Sequence, residues 1–309
     1  MQRIKHILEY IFVLGLIGVI RVIGKTRINT LAKALSAILF LFPKHRNRTM
    51  ENLKASFPEL SSEKIREIAK KCYQNFLLST LEFIEIDRFS KEEIEDKVDV
   101  HGLSHLEKAV SKGKGVIMAS VHLGNWEMMG RTLTSKGYKL NVIARKQRNG
   151  LVEGLIRERR QKAGFDVIYS ESAKKDVLKA LSSKEIVLIL IDQDAGRKGV
   201  FVDFFGKPAS TTPSPIIFSL RTGATIIPFY NLRLEDGSYK VIIEEPFLFK
   251  RTGDIKKDIA LNLEVLTKRF EGVIRKDPKQ WFWLHNRWAT KNSIQPSENS
   301  LQPSANKNN

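Results

Sequence analysis

The residues best able to do chemistry stand in one short stretch, Ser120-Val121-His122-Leu123-Gly124-Asn125-Trp126-Glu127. Histidine is the side chain that most readily takes a proton near neutral pH. A nearby carboxylate can hold its ring in one tautomer and stabilise the imidazolium. His122 and Glu127 do not have a same-face helical spacing, so they act together only if the chain turns between them. Gly124 and Asn125 permit that turn. The plainer reading of the pair is a strand-end histidine and a glutamate that complements a helix dipole.

Further polar groups recur at apolar run ends. Asp192-Gln193-Asp194 closes Ile186-Val187-Leu188-Ile189-Leu190-Ile191. Its two carboxylates could orient a base, hold an arginine or bind a metal, or simply be solvated at a strand end. Arg145 follows another apolar run, with Asn149 close behind. Arg197, in Asp194-Ala195-Gly196-Arg197-Lys198-Gly199, and Lys207 suit phosphate. Phe201 to Thr212 reads as an apolar loop that either packs or lines an acyl-chain tunnel, with Gly206 allowing close backbone approach. Trp281-Phe282-Trp283-Leu284-His285-Asn286-Arg287-Trp288 reads as a membrane-interface or a core element. Arg157, Arg159 and Arg160 share a helix with Glu153 and Glu158, which predicts pairing within that helix.

These groups need a frame. Apolar periodicity predicts strands over 115–121, 139–144, 166–169, 186–192, 225–233 and 239–244. It predicts helices over 106–112, 125–135, 150–163, 174–182, 216–222 and 255–275. The alternation implies an α/β fold with a mixed, largely parallel sheet flanked by helices. Ligands of such sheets bind beyond the carboxyl ends of strands, where His122, Arg145 and Asp192 all fall.

Ahead of this region, Tyr10 to Ile20 is uninterrupted apolar sequence, shorter than the roughly 20 residues that cross a bilayer. A second apolar segment over 31–42 ends in Pro43-Lys44-His45-Arg46-Asn47-Arg48. Apolar helices beside a basic cluster predict a membrane-anchoring region over 1–48. Pro58 ends a helix holding Leu53, and Ser61 or Ser62 caps the next, with Cys72 on its buried stripe. An α/β domain over 49–289 follows, then a polar tail over 290–309 expected to be disordered.

Composition narrows the function. The 309 residues carry a net charge of +18, which points to an anionic partner: nucleic acid, a membrane surface or a phosphorylated substrate. No nucleic-acid module is recognisable. The single cysteine forms no internal disulfide or metal cluster, and there is no zinc spacing, dinucleotide fingerprint or phosphate loop. No metal or cofactor is expected. A basic, non-enzymatic membrane-binding protein would explain the charge but leave His122 and Glu127 as coincidence.

The ordered set His122-Leu123-Gly124-Asn125-Trp126-Glu127, Asn52-Leu53 with Phe57-Pro58-Glu59, Asp192-Gln193-Asp194, Phe204-Phe205-Gly206-Lys207-Pro208-Ala209, Thr222-Gly223-Ala224 and Gln280 to Trp288 resembles the bacterial lipid A biosynthesis acyltransferases, lauroyl and myristoyl transferases of the wider lysophospholipid acyltransferase superfamily. The resemblance runs from the N-terminal apolar helix to Trp288. It implies transfer of an acyl chain from acyl carrier protein to a hydroxyl of a lipid A precursor of the Kdo-lipid IVA type, at the cytoplasmic face of the bacterial inner membrane. It implies His122 as general base and Glu127 as the residue that orients it. Arg145, Asn149, Asp192, Asp194, Arg197 and Lys207 are then expected to bind substrate. Gly150 replaces the usual proline after Asn149, and Thr212-Pro213-Ser214-Pro215 departs from the usual Gly/Ala-rich helix start. Another glycolipid or a lysophospholipid is the alternative acceptor.

Overall fold

The computed structural model describes residues 2–24, 27–170 and 172–291. Positions 292–309 of the expected disordered tail lie outside the described residues, whereas Thr290 is held by Asp194 through a 2.8 Å hydroxyl–carboxylate bond.

Four helices come first: α1 (Gln2–Ile23), α2 (Ile28–Phe40), α3 (Pro43–Ser56) and α4 (Ser62–Ile84). α3 opens with Pro43 in its first turn, where a missing N–H costs nothing, and runs through the expected boundary at residue 48. α3 stops just before Phe57-Pro58, and Ser61 caps α4 by accepting from the Lys64 amide. α5 (Lys91–Lys97), with a capping box from Ser90 and Glu93, leads into the edge strand β1 (Val98–His101). α6 (Leu103–Ser111), β2 (Val116–Ser120), α7 (Trp126–Ser135), β3 (Leu140–Ala144), α8 (Gly150–Lys162), β4 (Phe165–Tyr169), α9 (Ala173–Ser182) and β5 (Ile186–Leu190) then alternate. A hairpin of β6 (Val200–Phe204) and β7 (Lys207–Thr211) precedes α10 (Ser214–Thr222), β8 (Thr225–Arg233), β9 (Tyr239–Ile243) and α11 (Ile255–Lys276).

Seven strands form one sheet in the order β1-β9-β8-β2-β5-β3-β4. Neighbours are parallel except β8 and β9, so the expected mixed, largely parallel sheet is present. β2 sits between β8 and β5 and is buried along its whole length, which is why its sequence is uniformly apolar rather than alternating. One face of the sheet packs against α3, α4, α9, α10, α11 and the Trp-rich C-terminal segment; the other packs against α5, α6 and α7. A third cluster joins Ile17 and Ile20 of α1 to Ile28 and Ala32 of α2 and Leu81 and Ile84 of α4.

Two expectations for loops change. The stretch from Phe201 to Thr212 is not an apolar loop but the β6–β7 hairpin. Phe204 and Phe205 pack edge-on to one another and against Trp281, and Phe205 meets Phe57 and Trp283. The aromatics there fill core. Gly206 has φ +74° in the hairpin turn and nothing near its Cβ position, so the turn's backbone, not a close approach, calls for glycine. Likewise Trp281 and Trp283 are fully buried, which places the Trp-rich segment in the core and not at a membrane interface.

Candidate active site

β2 and β5 pair in parallel, with Ser120 opposite Leu190. Two residues beyond that last pair, the same register sets His122 beside Asp192. Asp192 Oδ1 lies 2.7 Å from His122 Nδ1, and Asp192 Oδ2 accepts from the His122 backbone N–H at 2.8 Å. Trp281 donates its indole N–H to Oδ2 at 2.6 Å. Burial pushes the Asp192 carboxyl up, but His122 and these hydrogen bonds outweigh it and hold the group below the usual carboxylate range. An ionised carboxylate only accepts, so the ring hydrogen sits on Nδ1 and the Nε2 lone pair is available. The Gln193 side-chain amide stands 3.3 Å from Nε2. Trp126 and Phe282 flank the ring.

The loop carrying His122 is fixed from several sides. The His122 carbonyl accepts from Phe282 N, and Gly124 N donates to the Gln280 carbonyl. The Gly124 carbonyl accepts from Asn75 and Ser79 of α4. Gly124 has φ +62°, and a Cβ there would lie 2.5 Å from Asn231 Oδ1, so both conformation and space exclude a side chain. Asn125 caps α7 through the amides of Glu127 and Met128 and donates to Glu82. Burial pushes Glu82 up, yet the Arg233 guanidinium beside it holds its carboxyl below the ordinary value.

Glu127 takes a different place from the one expected. Its carboxylate meets Arg160 of α8, with contacts of 2.5 and 3.3 Å. The residue hydrogen-bonded to the His122 ring nitrogen on the sheet side is Asp192, because register brings β5 beside β2 while Glu127 lies in the first turn of α7. Glu127 and His122 nevertheless line one cavity of about 420 Å³, together with Trp126, Arg145, Arg160 and Gln193. Pairing within α8 is made by Glu158 with Lys162, four residues on, whereas Arg160 meets Glu127 and Arg159 meets Asp87 at 3.5 Å.

Of the expected substrate-binding residues, Arg145 and Asp194 line the cavity. Asp194 is also engaged by Thr290, and its backbone N–H donates to His285 Nε2 at 3.0 Å. Burial lowers His285 to about 4, so it stays neutral and can accept. Asn149 is a structural joint: its Oδ1 accepts from Leu151 and Val152, and its amide donates to the His6 carbonyl and the Glu9 carboxylate of α1. It lines an adjoining groove that shares Arg145, Gln147 and Gln193 with the cavity. Arg197 and Lys207 are exposed and outside the cavity lining; the Lys207 ammonium lies 6.0 Å from the Trp288 ring.

No local pattern marks Arg160, Gln193 or Trp281 as individual members of the site. Arg160 was one of several arginines on a charged helix, and nothing local distinguishes it. Gln193 and Trp281 stand inside motifs that were singled out, but their contacts cross the fold. Among the described residues no group of His, Cys, Asp and Glu could hold a metal ion.

The model of the family described as bacterial lipid A biosynthesis acyltransferase matches residues 2–290. The lipid A biosynthesis lauroyltransferase of Escherichia coli is 26% identical over 267 residues, 85% of either chain. The lipid A biosynthesis acyltransferase of Haemophilus influenzae is 25% identical over 78% of this chain and 74% of its own. The phosphatidylinositol mannoside acyltransferase of Mycobacterium tuberculosis is 27% identical over 61% of this chain, and the match spans only 59% of that relative's length. With nearly its whole length matched, the chain belongs to the bacterial lipid A biosynthesis acyltransferase family.

Proposed function

We propose that the protein transfers a fatty acyl chain from acyl carrier protein to a hydroxyl of a lipid A precursor of the Kdo-lipid IVA type, at the cytoplasmic face of the bacterial inner membrane, without a cofactor. The observation that carries the reading is His122, held by Asp192 at Nδ1 with its Nε2 lone pair directed to the Gln193 amide beside the cavity, where an acceptor hydroxyl can take that amide's place. Nε2 removes the proton from the acceptor hydroxyl as its oxygen attacks the thioester carbonyl. A C–O bond forms, the C–S bond breaks, and the departing thiolate takes the proton from the imidazolium. Asp192 stabilises the imidazolium, and the Gln193 amide, released from Nε2 by the acceptor, supplies an N–H to the oxyanion. Glu127 and Arg160 form a partly buried ion pair on the cavity wall. Arg145 is the cation suited to an acceptor phosphate, and exposed Arg197 and Lys207 suit the acidic carrier protein.

Purified His122→Ala is expected to keep its fold by circular dichroism and to lose acyl transfer by at least about a thousandfold. A wild-type rate would sink the mechanism. The similarity to the mycobacterial enzyme favours a second reading, in which the acceptor is another glycolipid. Mass spectrometry of lipids from a deletion strain separates the two: loss of one acyl chain from lipid A supports the first, and unchanged lipid A with an altered glycolipid supports the second.

A further inference from the structure

α1 is long and apolar enough to cross a bilayer, yet its contacts lay it along the globular domain. At its start, the His6 carbonyl and the Glu9 carboxylate accept from Asn149 at the N-cap of α8. Further on, Tyr10 borders a groove with Gly150, Gly154 and Arg157 of α8. Val13, Leu16, Ile17 and Ile20 pack with Leu155 of α8 and with α2 and α4. Near its end, the Arg21 charge acts on Glu158 of α8. The two helices therefore run side by side in the same direction, and α8 leaves Arg157, Glu158 and Lys162 exposed.

The opposite side of α1 is unpartnered. Ile4, Leu8, Ile11 and Val22 share one face at helical spacing, with Phe12 and Val19 beside it, and all are exposed. Ile38, Leu41 and Phe42 at the end of α2 are exposed too. Exposed basic side chains, Arg3, Lys5, Arg21, Arg27 and Lys33, accompany these two helices.

We infer that α1 lies in the plane of an anionic phospholipid surface, outer face in the acyl boundary and inner face on α8, rather than crossing the bilayer. A crossing helix would carry Arg157, Glu158 and Lys162 of α8 to hydrocarbon depth, where charged side chains are strongly disfavoured. A helix in the plane leaves them at head-group level and lets the basic residues meet lipid phosphates. It also sets lipid-facing Phe12 on the wall of the groove that shares Arg145 with the His122 cavity, so a lipid acceptor could arrive sideways from the leaflet. The inference concerns how the chain sits on a membrane and stands whether or not acyl transfer is the reaction.

Cys72 is buried and its thiol is pushed up to about 12, so added cysteines can be labelled over a silent background. Gln2→Cys and Lys256→Cys variants, treated with a membrane-impermeant maleimide in intact spheroplasts and in inside-out vesicles, are expected to react from the same side. Reaction from opposite sides overturns the inference. Nitroxides at Ile4→Cys, Ile11→Cys and Val22→Cys of the full chain, bound to phosphatidylglycerol–phosphatidylethanolamine vesicles, supply a readout where Gln2→Cys is shielded. Equal oxygen-to-nickel accessibility at all three supports the in-plane helix; a pronounced maximum at Ile11 overturns it.

Discussion

At the scale of single residues, Asp192 is the position on which the reactive histidine depends. It fixes the ring nitrogen, the His122 backbone and the Trp281 indole with one buried carboxylate. An asparagine of the same shape either presents N–H groups to donors or leaves one of them unpaired. Asp192→Asn is therefore expected to lower kcat by about two to four orders of magnitude, by analogy with carboxylates that hold a catalytic histidine. Steady-state kinetics on the purified variant, with a thermal melt to confirm folding, checks this. A kcat within a few-fold of wild type would show that Asp192 does not position the base.

At the scale of elements, the turn between β2 and α7 carries the site. The turn bends at Gly124, whose N–H and carbonyl are taken by Gln280 on one side and by Asn75 and Ser79 on the other. Gly124→Ala adds the cost of a left-handed backbone to a contact with Asn231 that must be relieved. Together these amount to about 2–4 kcal/mol of stability. Chemical denaturation should report that loss, with a fall in kcat as His122 shifts away from Asp192. This part of the site was legible beforehand: an apolar run, a glycine turn and a helical pattern predict strand, turn and helix. The β6–β7 hairpin was not, because its aromatic residues pack onto the distant Trp281 and Trp283, and local alternation does not stand out in so apolar a stretch.

At the scale of the whole molecule, the C-terminal segment closes the fold over the site. Asn52 donates to the Trp283 and His285 carbonyls, Cys72 to Trp281, and Arg287 reaches the Ser210 carbonyl at 2.5 Å. His285 ties this segment to Asp194 while staying neutral. Its folded value of about 4 lies below the ordinary 6.5, so between those limits the unfolded chain binds a proton that the folded one refuses. Stability contributed here is complete above pH 6.5 and falls as pH drops toward 4. Thermal melts across that window should show a shallower decline for His285→Gln, whose carbonyl oxygen can still accept from Asp194. An unchanged slope would assign the decline to other groups.

The sequence by itself determined the strand–turn–helix around His122, the alternation that makes an α/β sheet, the buried setting of Cys72 and the apolar character of the N-terminal helices. These rest on short-range periodicity, caps and turn residues. Tertiary structure alone decided which carboxylate holds His122. Asp192 and Glu127 were both plausible partners, and five residues of sequence favoured Glu127. The β2–β5 register instead joined positions 70 residues apart and gave Glu127 to Arg160, a residue with no local mark of its role. Strand order and helix docking depend on long-range burial, whose partners no local pattern specifies.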